Sequence, residues 1–159
     1  MSQSLILFTK SPAETKRLGE RIGKLLLPGD VVALTGELGS GKTVLTKGIA
    51  RGLGIKGDPV RSPSFVLIKE YPGKVPLFHF DLYRLKKPKE LNTIGYEEYL
   101  SGKGVVVIEW AERAKNFLPE EYLEIKLSII SKNKRKVSLI AKGGSLKKRL
   151  KEKKYAYQG

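Results

Sequence analysis

The chain has 159 residues, with 31 lysines and arginines against 16 acids, one histidine, a net charge of +15 and no cysteine. That length suits one domain, residues 1–159, large enough to bury a core, and the missing cysteines exclude disulfides, thiolate metal sites and a cysteine nucleophile. No apolar run approaches the ~20 residues of a membrane span, and Met1 to Ile6 lack the basic start of a signal peptide, so a cytoplasmic protein with no membrane partner is expected.

Leu5 to Phe8 reads as a short strand, and Ser11-Pro12-Ala13-Glu14 as a capping box with proline at the first helical position. Leu18, Ile22, Leu25 and Leu26 recur at helical spacing, and Pro28-Gly29-Asp30 turns the chain into the apolar strand Val31 to Leu34. Directly after it, Gly36 to Thr43 fits the phosphate-loop pattern G-x-x-x-x-G-K-[ST]. Gly36, Gly39 and Gly41 let successive backbone N–H groups, with Glu37, Leu38 and Ser40 between them, turn inward into one concavity. Lys42 can then reach the β- and γ-phosphates of a bound nucleotide, and Thr43 can place its hydroxyl on Mg²⁺. The helix that follows carries Leu45, Ile49 and Leu53 on one face, stops at Gly54, and aims its N-terminal dipole at the phosphates.

A loop from Ile55 to Arg61 leads into Ser62-Pro63-Ser64-Phe65, readable as a switch whose hydroxyls sense a γ-phosphate or as a plain proline turn. Phe65 to Tyr71 and Val75 to Tyr83 flank Pro72-Gly73-Lys74 as a hairpin, so antiparallel strands are inserted into an otherwise α/β chain. In the second run His79, Asp81 and Tyr83 alternate with Phe78, Phe80 and Leu82, which gives one polar and one apolar face. Pro88 to Leu100 makes two short helical pieces around Gly95. Gly104 to Ile108 makes a strand covered on both faces, closed by Glu109. Ala111 to Phe117 reads as a short helix, and Tyr122 to Ile130 with Lys136 to Ala141 as a hairpin through Lys132-Asn133-Lys134. Leu146 to Lys154 reads as a basic terminal helix or frayed tail.

From Lys132 onward there are eleven basic residues and one acid, Glu152. A basic tail over about residues 142–159 suits a polyanion or an acidic protein surface; a solvated lysine-rich face of the kind found in thermophile proteins reads the same way.

Hydrolysis needs a metal holder and a group that orients water. Glu109 is the better metal candidate, because an acid at the C-terminal end of a buried strand emerges at the crevice where open α/β sheets bind ligands. Asp81 competes: it can hold Mg²⁺ through water, position the nucleophile, or pair with Arg84. His79, the lone histidine, reads first as a structural residue. Trp110 is either core packing or a lid over the nucleotide, and the Lys134-Arg135 turn can stack on adenine.

Four pieces thus stand in order: Gly36 to Thr43, Ser62-Pro63-Ser64-Phe65, His79-Phe80-Asp81-Leu82-Tyr83-Arg84, and Glu109-Trp110. Together they resemble the TsaE (YjeE) family, the small bacterial ATPase of tRNA threonylcarbamoyladenosine synthesis, over almost the whole chain. Ser64 stands where that family usually has threonine, and a hydroxyl survives. The resemblance implies a phosphate-loop NTPase-like α/β fold: a mixed, mostly parallel sheet flanked by helices. It also implies Mg²⁺ on Thr43 and Glu109, Asp81 in the catalytic site with Lys42, and ATP as cofactor. The implied partners are TsaD and TsaB, which modify adenosine 37 of tRNAs reading codons that begin with A; ATP hydrolysis by this subunit sustains their turnover, and tRNA is met directly or through the complex. A small-molecule kinase and a nucleotide-binding RNA module remain as alternatives. The absence of an N-K-x-D signature speaks against GTP.

Overall fold

The computed structural model describes residues 3–57, 59, 60 and 67–152. In chain order it has β1 (Gln3–Thr9), α1 (Pro12–Leu25), β2 (Val31–Thr35), α2 (Lys42–Gly52), β3 (Ile68–Tyr71) and β4 (Leu77–Asp81). Two one-turn helices follow, α3 (Glu90–Thr93) and α4 (Tyr96–Tyr99), then β5 (Val105–Glu109), a 3₁₀ helix (Ala111–Phe117), β6 (Tyr122–Ile129), β7 (Arg135–Lys142) and α5 (Gly144–Glu152). The strands form one sheet in the order β1-β7-β6-β2-β5-β4-β3. The mixed α/β phosphate-loop fold is as expected, but the sheet is not mostly parallel: the parallel pairings are confined to the central run β6-β2-β5-β4. The two hairpins and β1, which pairs with β7, supply the antiparallel edges.

Helix α1 starts where the capping pattern places it. Ser11 Oγ accepts from the Glu14 N–H at 3.1 Å, and Glu14 reaches back to the Lys10 N–H at 2.5 Å, so the carboxylate lands one residue earlier than in a regular capping box. α1 and α2 then pack backbone to backbone through Gly19 and Gly23 on one helix and Gly48 and Gly52 on the other. A Cβ on Gly48 would lie 2.1 Å from the Lys16 carbonyl oxygen, and one on Gly52 2.2 Å from that of Glu20. The rising order of these partners makes the helices parallel, so their N-termini sit at the same edge of the sheet.

One core lies between the sheet and α1, α2 and α5, built on Leu18, Ile22, Val32, Leu34, Leu45, Ile49, Val107 and Leu139. The second lies under α3, α4 and the 3₁₀ helix, where Phe80 meets Tyr96 edge-on at 5.4 Å and Phe78 meets Tyr99 at 5.0 Å. Because both layers cover β4, its polar residues are buried as well as its apolar ones: His79 is 0% exposed and Asp81 9%.

Of the two readings of the basic end, terminal helix or frayed tail, the described residues take the helix. Over Gly144–Glu152 it is a helix whose Leu146 and Leu150 enter the first core. Arg149 clamps Asp30 through two hydrogen bonds, 2.6 and 2.9 Å, and donates to the Leu25 carbonyl at 2.8 Å. An apolar i, i+4 pair within a run of lysines is enough to dock the helix. Among the described residues no helix is long and apolar enough to cross a membrane.

Candidate functional site

The end of β2 delivers the chain into the phosphate loop with Gly39 at φ 82° and Gly41 at φ 104°, conformations that residues with a Cβ rarely adopt. No side chain caps α2 at Gly41, which leaves the helix's first N–H groups and dipole to a ligand. Lys42 Nζ donates to the carbonyls of Gly36 at 2.5 Å and Glu37 at 3.0 Å, and lies 3.9 Å from the centroid of the Trp110 ring. Burial pulls the Lys42 ammonium below its ordinary pKa; the carboxylates of Glu109, Glu112, Asp81 and Glu37 oppose that shift.

Parallel pairing sets the acids. Asp81 and Glu109 stand opposite each other at the ends of β4 and β5, and Leu34 of β2 is in register with Glu109, so both carboxylates emerge beside the phosphate loop. Thr43 Oγ1 donates to Glu109, 3.0 Å from Oε1 and 3.3 Å from Oε2. His79 Nε2 also meets Glu109 Oε2. Asp81 Oδ1 accepts the Tyr83 N–H at 3.0 Å. Trp110 is the one positive-φ residue other than glycine among the described residues, at φ 60°, and its ring packs against Tyr83 at 5.0 Å. Backbone strain of this kind costs ~1–3 kcal/mol and collects at binding sites.

The structure therefore gathers Lys42, Thr43, Asp81, Glu109 and Trp110 at one end of the sheet. It adds His79, which the sequence favoured as structural. Arg135 borders the same region, but its guanidinium is spent on carbonyls: Nε on Ser40 at 3.1 Å, Nη2 on Gly39 at 3.2 Å, and Nη1 on Ser131, Lys132 and Lys134. Lys134 turns away, its ammonium 5.1 Å from the Phe8 ring. Leu38, at the loop tip, is 72% exposed. Ser64 and its neighbours lie outside the described residues.

A cavity of about 140 Å³ opens beside the loop, lined by Pro12, Thr15, Gly41, Val44, Asn133 and Arg135 among others. The sequence pointed to the hairpin side of this wall but not to Pro12, Thr15 and Val44. Their signal was the capping box itself, because a helix start parallel to α2 has to lie beside the loop. Thr15 is fixed there by the Thr9 hydroxyl at 2.7 Å.

A glycine-rich loop between a buried parallel strand and a helix, facing an acid on the neighbouring strand, defines a nucleotide-binding protein of the phosphate-loop α/β class. Residues 9–137 match the family model described as threonylcarbamoyl adenosine biosynthesis protein TsaE, and the chain belongs to that family. It is 42% identical to the tRNA threonylcarbamoyladenosine biosynthesis protein TsaE of Bacillus subtilis over 85% of this chain and 84% of that one. It is 40% identical to the protein of the same name from Treponema pallidum, over 82% and 96%. The crystal structure of Bacillus subtilis YdiB superposes with a TM-score of 0.80 at 36% identity, covering 96% of this chain and 95% of that one.

Proposed function

We propose that this chain, folded as one domain over residues 1–159, is a Mg²⁺-dependent ATP hydrolase that acts with TsaD and TsaB in the threonylcarbamoylation of adenosine 37 of tRNA. The observation that carries the reading is the contact of the Thr43 hydroxyl with the Glu109 carboxylate at the mouth of the phosphate loop. The residues fit the metal: Mg²⁺ keeps several waters and takes phosphate oxygens, so one hydroxyl and one carboxylate suffice, and among the described residues no cluster of three metal-ligating side chains competes. Thr43 and Glu109 would hold it, and bound there it would neutralise charge on the phosphates.

Lys42 moves its ammonium from the Gly36 and Glu37 carbonyls to the β- and γ-phosphates, which the loop amides of residues 36–43 cradle. Asp81, level with Glu109, orients the attacking water, and the Ser64 hydroxyl is assigned to sensing the γ-phosphate on the sequence motif alone. Trp110 covers the phosphates, and the cavity by Thr15 and Val44 takes adenine, with Arg135 as a wall pinned to the loop. Arg113 lies against Tyr83 and Trp110, at 5.5 and 5.9 Å from their rings, and Arg135 is bound to carbonyls, so neither is placed as an arginine finger.

Phosphoryl transfer depends mainly on positioning and added positive charge, and an arginine in trans is worth ~10³ to 10⁵ in rate where it is used. Slow hydrolysis alone and acceleration by TsaB, TsaD and tRNA are therefore expected in the cytoplasm, where tRNA modification takes place. Single-turnover phosphate release, alone and with those partners, tests this in the native chain and in Asp81→Ala. Fast turnover by the isolated protein, or equal stimulation of Asp81→Ala, would show the site complete on its own or Asp81 idle. Transfer of phosphate to a small molecule would make the chain a kinase instead.

A further inference from the structure

The side chain left over by this assignment is His79. It is 0% exposed, and its Nε2 meets the Oε2 of Glu109, itself 2% exposed. Carboxylate oxygens only accept, so the imidazole carries its hydrogen on Nε2. Its Nδ1 is buried without a hydrogen-bond partner among the described residues. A histidine kept for packing or for a wider polar network would use both nitrogens; this one uses a single donor on a single carboxylate. On the same face of β4, two residues earlier, stands Leu77, also 0% exposed, and in register with His79 is Val107. The surroundings would accept an apolar residue at position 79, and burial of an imidazole there needs a separate reason.

Glu109 supplies it. Where many phosphate-loop enzymes place aspartate on this strand, this chain has glutamate, which adds one rotatable bond between backbone and carboxylate. Thr43 engages the carboxylate from the first turn of α2, 3.0 Å from Oε1, next to the phosphate loop. His79 engages Oε2 from inside the sheet, two residues below Asp81 on a strand paired directly with β5.

We propose that His79 is a positioning residue for Mg²⁺ binding: its Nε2–H fixes the Glu109 carboxylate on Oε2 so that Oε1 stays turned to Thr43 whether or not the loop is engaged. The proposal rests on the reading of Thr43 and Glu109 as the metal-holding pair. It makes Glu109 and His79 together the equivalent of a shorter, self-oriented aspartate. Partners of this kind, one bond removed from a metal, are worth roughly 10- to 100-fold in metal affinity.

The test compares His79→Gln, whose amide nitrogen falls close to the place of Nε2, with His79→Asn, whose amide falls at Nδ1 and stops short, and with the apolar His79→Leu. The protein is saturated with ADP and titrated with MgCl₂ while Trp110 fluorescence is followed. ADP affinity is measured separately by calorimetry in EDTA. The half-saturating Mg²⁺ concentration should rise roughly 10- to 100-fold in His79→Asn and His79→Leu. It should stay near the native value in His79→Gln, and ADP affinity in EDTA should be the same in all four proteins.

Mg²⁺ dependence within twofold of native in His79→Asn, or a defect in His79→Gln as large as in His79→Asn, overturns the proposal and leaves the metal pair standing. A native protein in which Mg²⁺ changes neither Trp110 fluorescence nor the calorimetric affinity for ADP overturns the metal pair and the proposal with it. Should His79→Leu fail to fold, Glu109→Asp serves. The shorter side chain gives up His79, so adding His79→Asn to it should change the Mg²⁺ midpoint no further, whereas a purely structural histidine would add its full effect.

Discussion

Gly48→Ala sets two effects against each other whose sizes follow from the structure. Gly48 lies inside α2, where alanine is the better helix former by ~1 kcal/mol, so propensity alone makes the variant more stable. The new Cβ, however, would stand 2.1 Å from the Lys16 carbonyl oxygen and 2.9 Å from Gly19 Cα. Carbon and oxygen rest at ~3.3 Å, so the helices must part by ~1 Å. Both colliding groups are backbone, which no rotamer change relieves. Overpacking of this kind costs ~3 kcal/mol, at the upper end of its usual range, and sterics outweigh propensity by ~2 kcal/mol. In a chain of this length each kcal/mol moves Tm by ~2–4 °C, so thermal unfolding followed by circular dichroism should show a loss of ~4–8 °C. Gly144→Ala is the control, since a Cβ there meets nothing within 4 Å. The displacement also reaches the site, because α2 begins with Lys42 and Thr43; ADP affinity by calorimetry should fall together with Tm. A rise in Tm for Gly48→Ala, or a change no larger than in Gly144→Ala, would refute the close seam.

Further outcomes follow from contacts at the site and the periphery. ATP or ADP should change the fluorescence of Trp110, because a phosphate draws away the Lys42 ammonium that lies 3.9 Å from its ring; in Lys42→Ala the change should largely vanish, and an unaltered signal in the native protein at saturating nucleotide would place Trp110 away from the phosphates. Removing residues 144–159 should lower Tm as well as weaken salt-dependent binding to tRNA, because it strips Leu146 and Leu150 from the core and leaves Asp30 without Arg149. An unchanged Tm would mean that α5 is not docked. Burial pushes the Tyr96 phenol up to about 12, and its hydroxyl donates to the Phe117 carbonyl at 3.1 Å. The unfolded chain then ionises first, so stability is full below about pH 10 and lost as pH rises toward 12, and Tyr96→Phe should show a shallower alkaline fall in Tm.

Most of what carries the site was legible because it is local. The phosphate loop, the strand before it and the helix after it are fixed by glycine spacing and apolar periodicity over some twenty residues, and Glu109 announces itself by ending an apolar run. What escaped is non-local. His79 alternates with apolar neighbours like any residue on a half-exposed strand, and nothing in that period says that its face is buried against the Glu109 carboxylate. The α1–α2 seam did leave a trace, since Gly19 and Gly23, and Gly48 and Gly52, repeat at i, i+4 on two helices. Glycine inside a helix is usually read as a weakness in the helix, whereas here it records a neighbour that comes within carbonyl distance. The basic end misled for the same reason: charge composition describes the outward face of α5, while its place in the fold is set by Leu146, Leu150 and the one arginine that turns inward to Asp30. In each case the missing information is which element packs on which, and a single residue at the contact, a glycine, a histidine or an arginine, is where that partner becomes visible in the sequence once the partner is known.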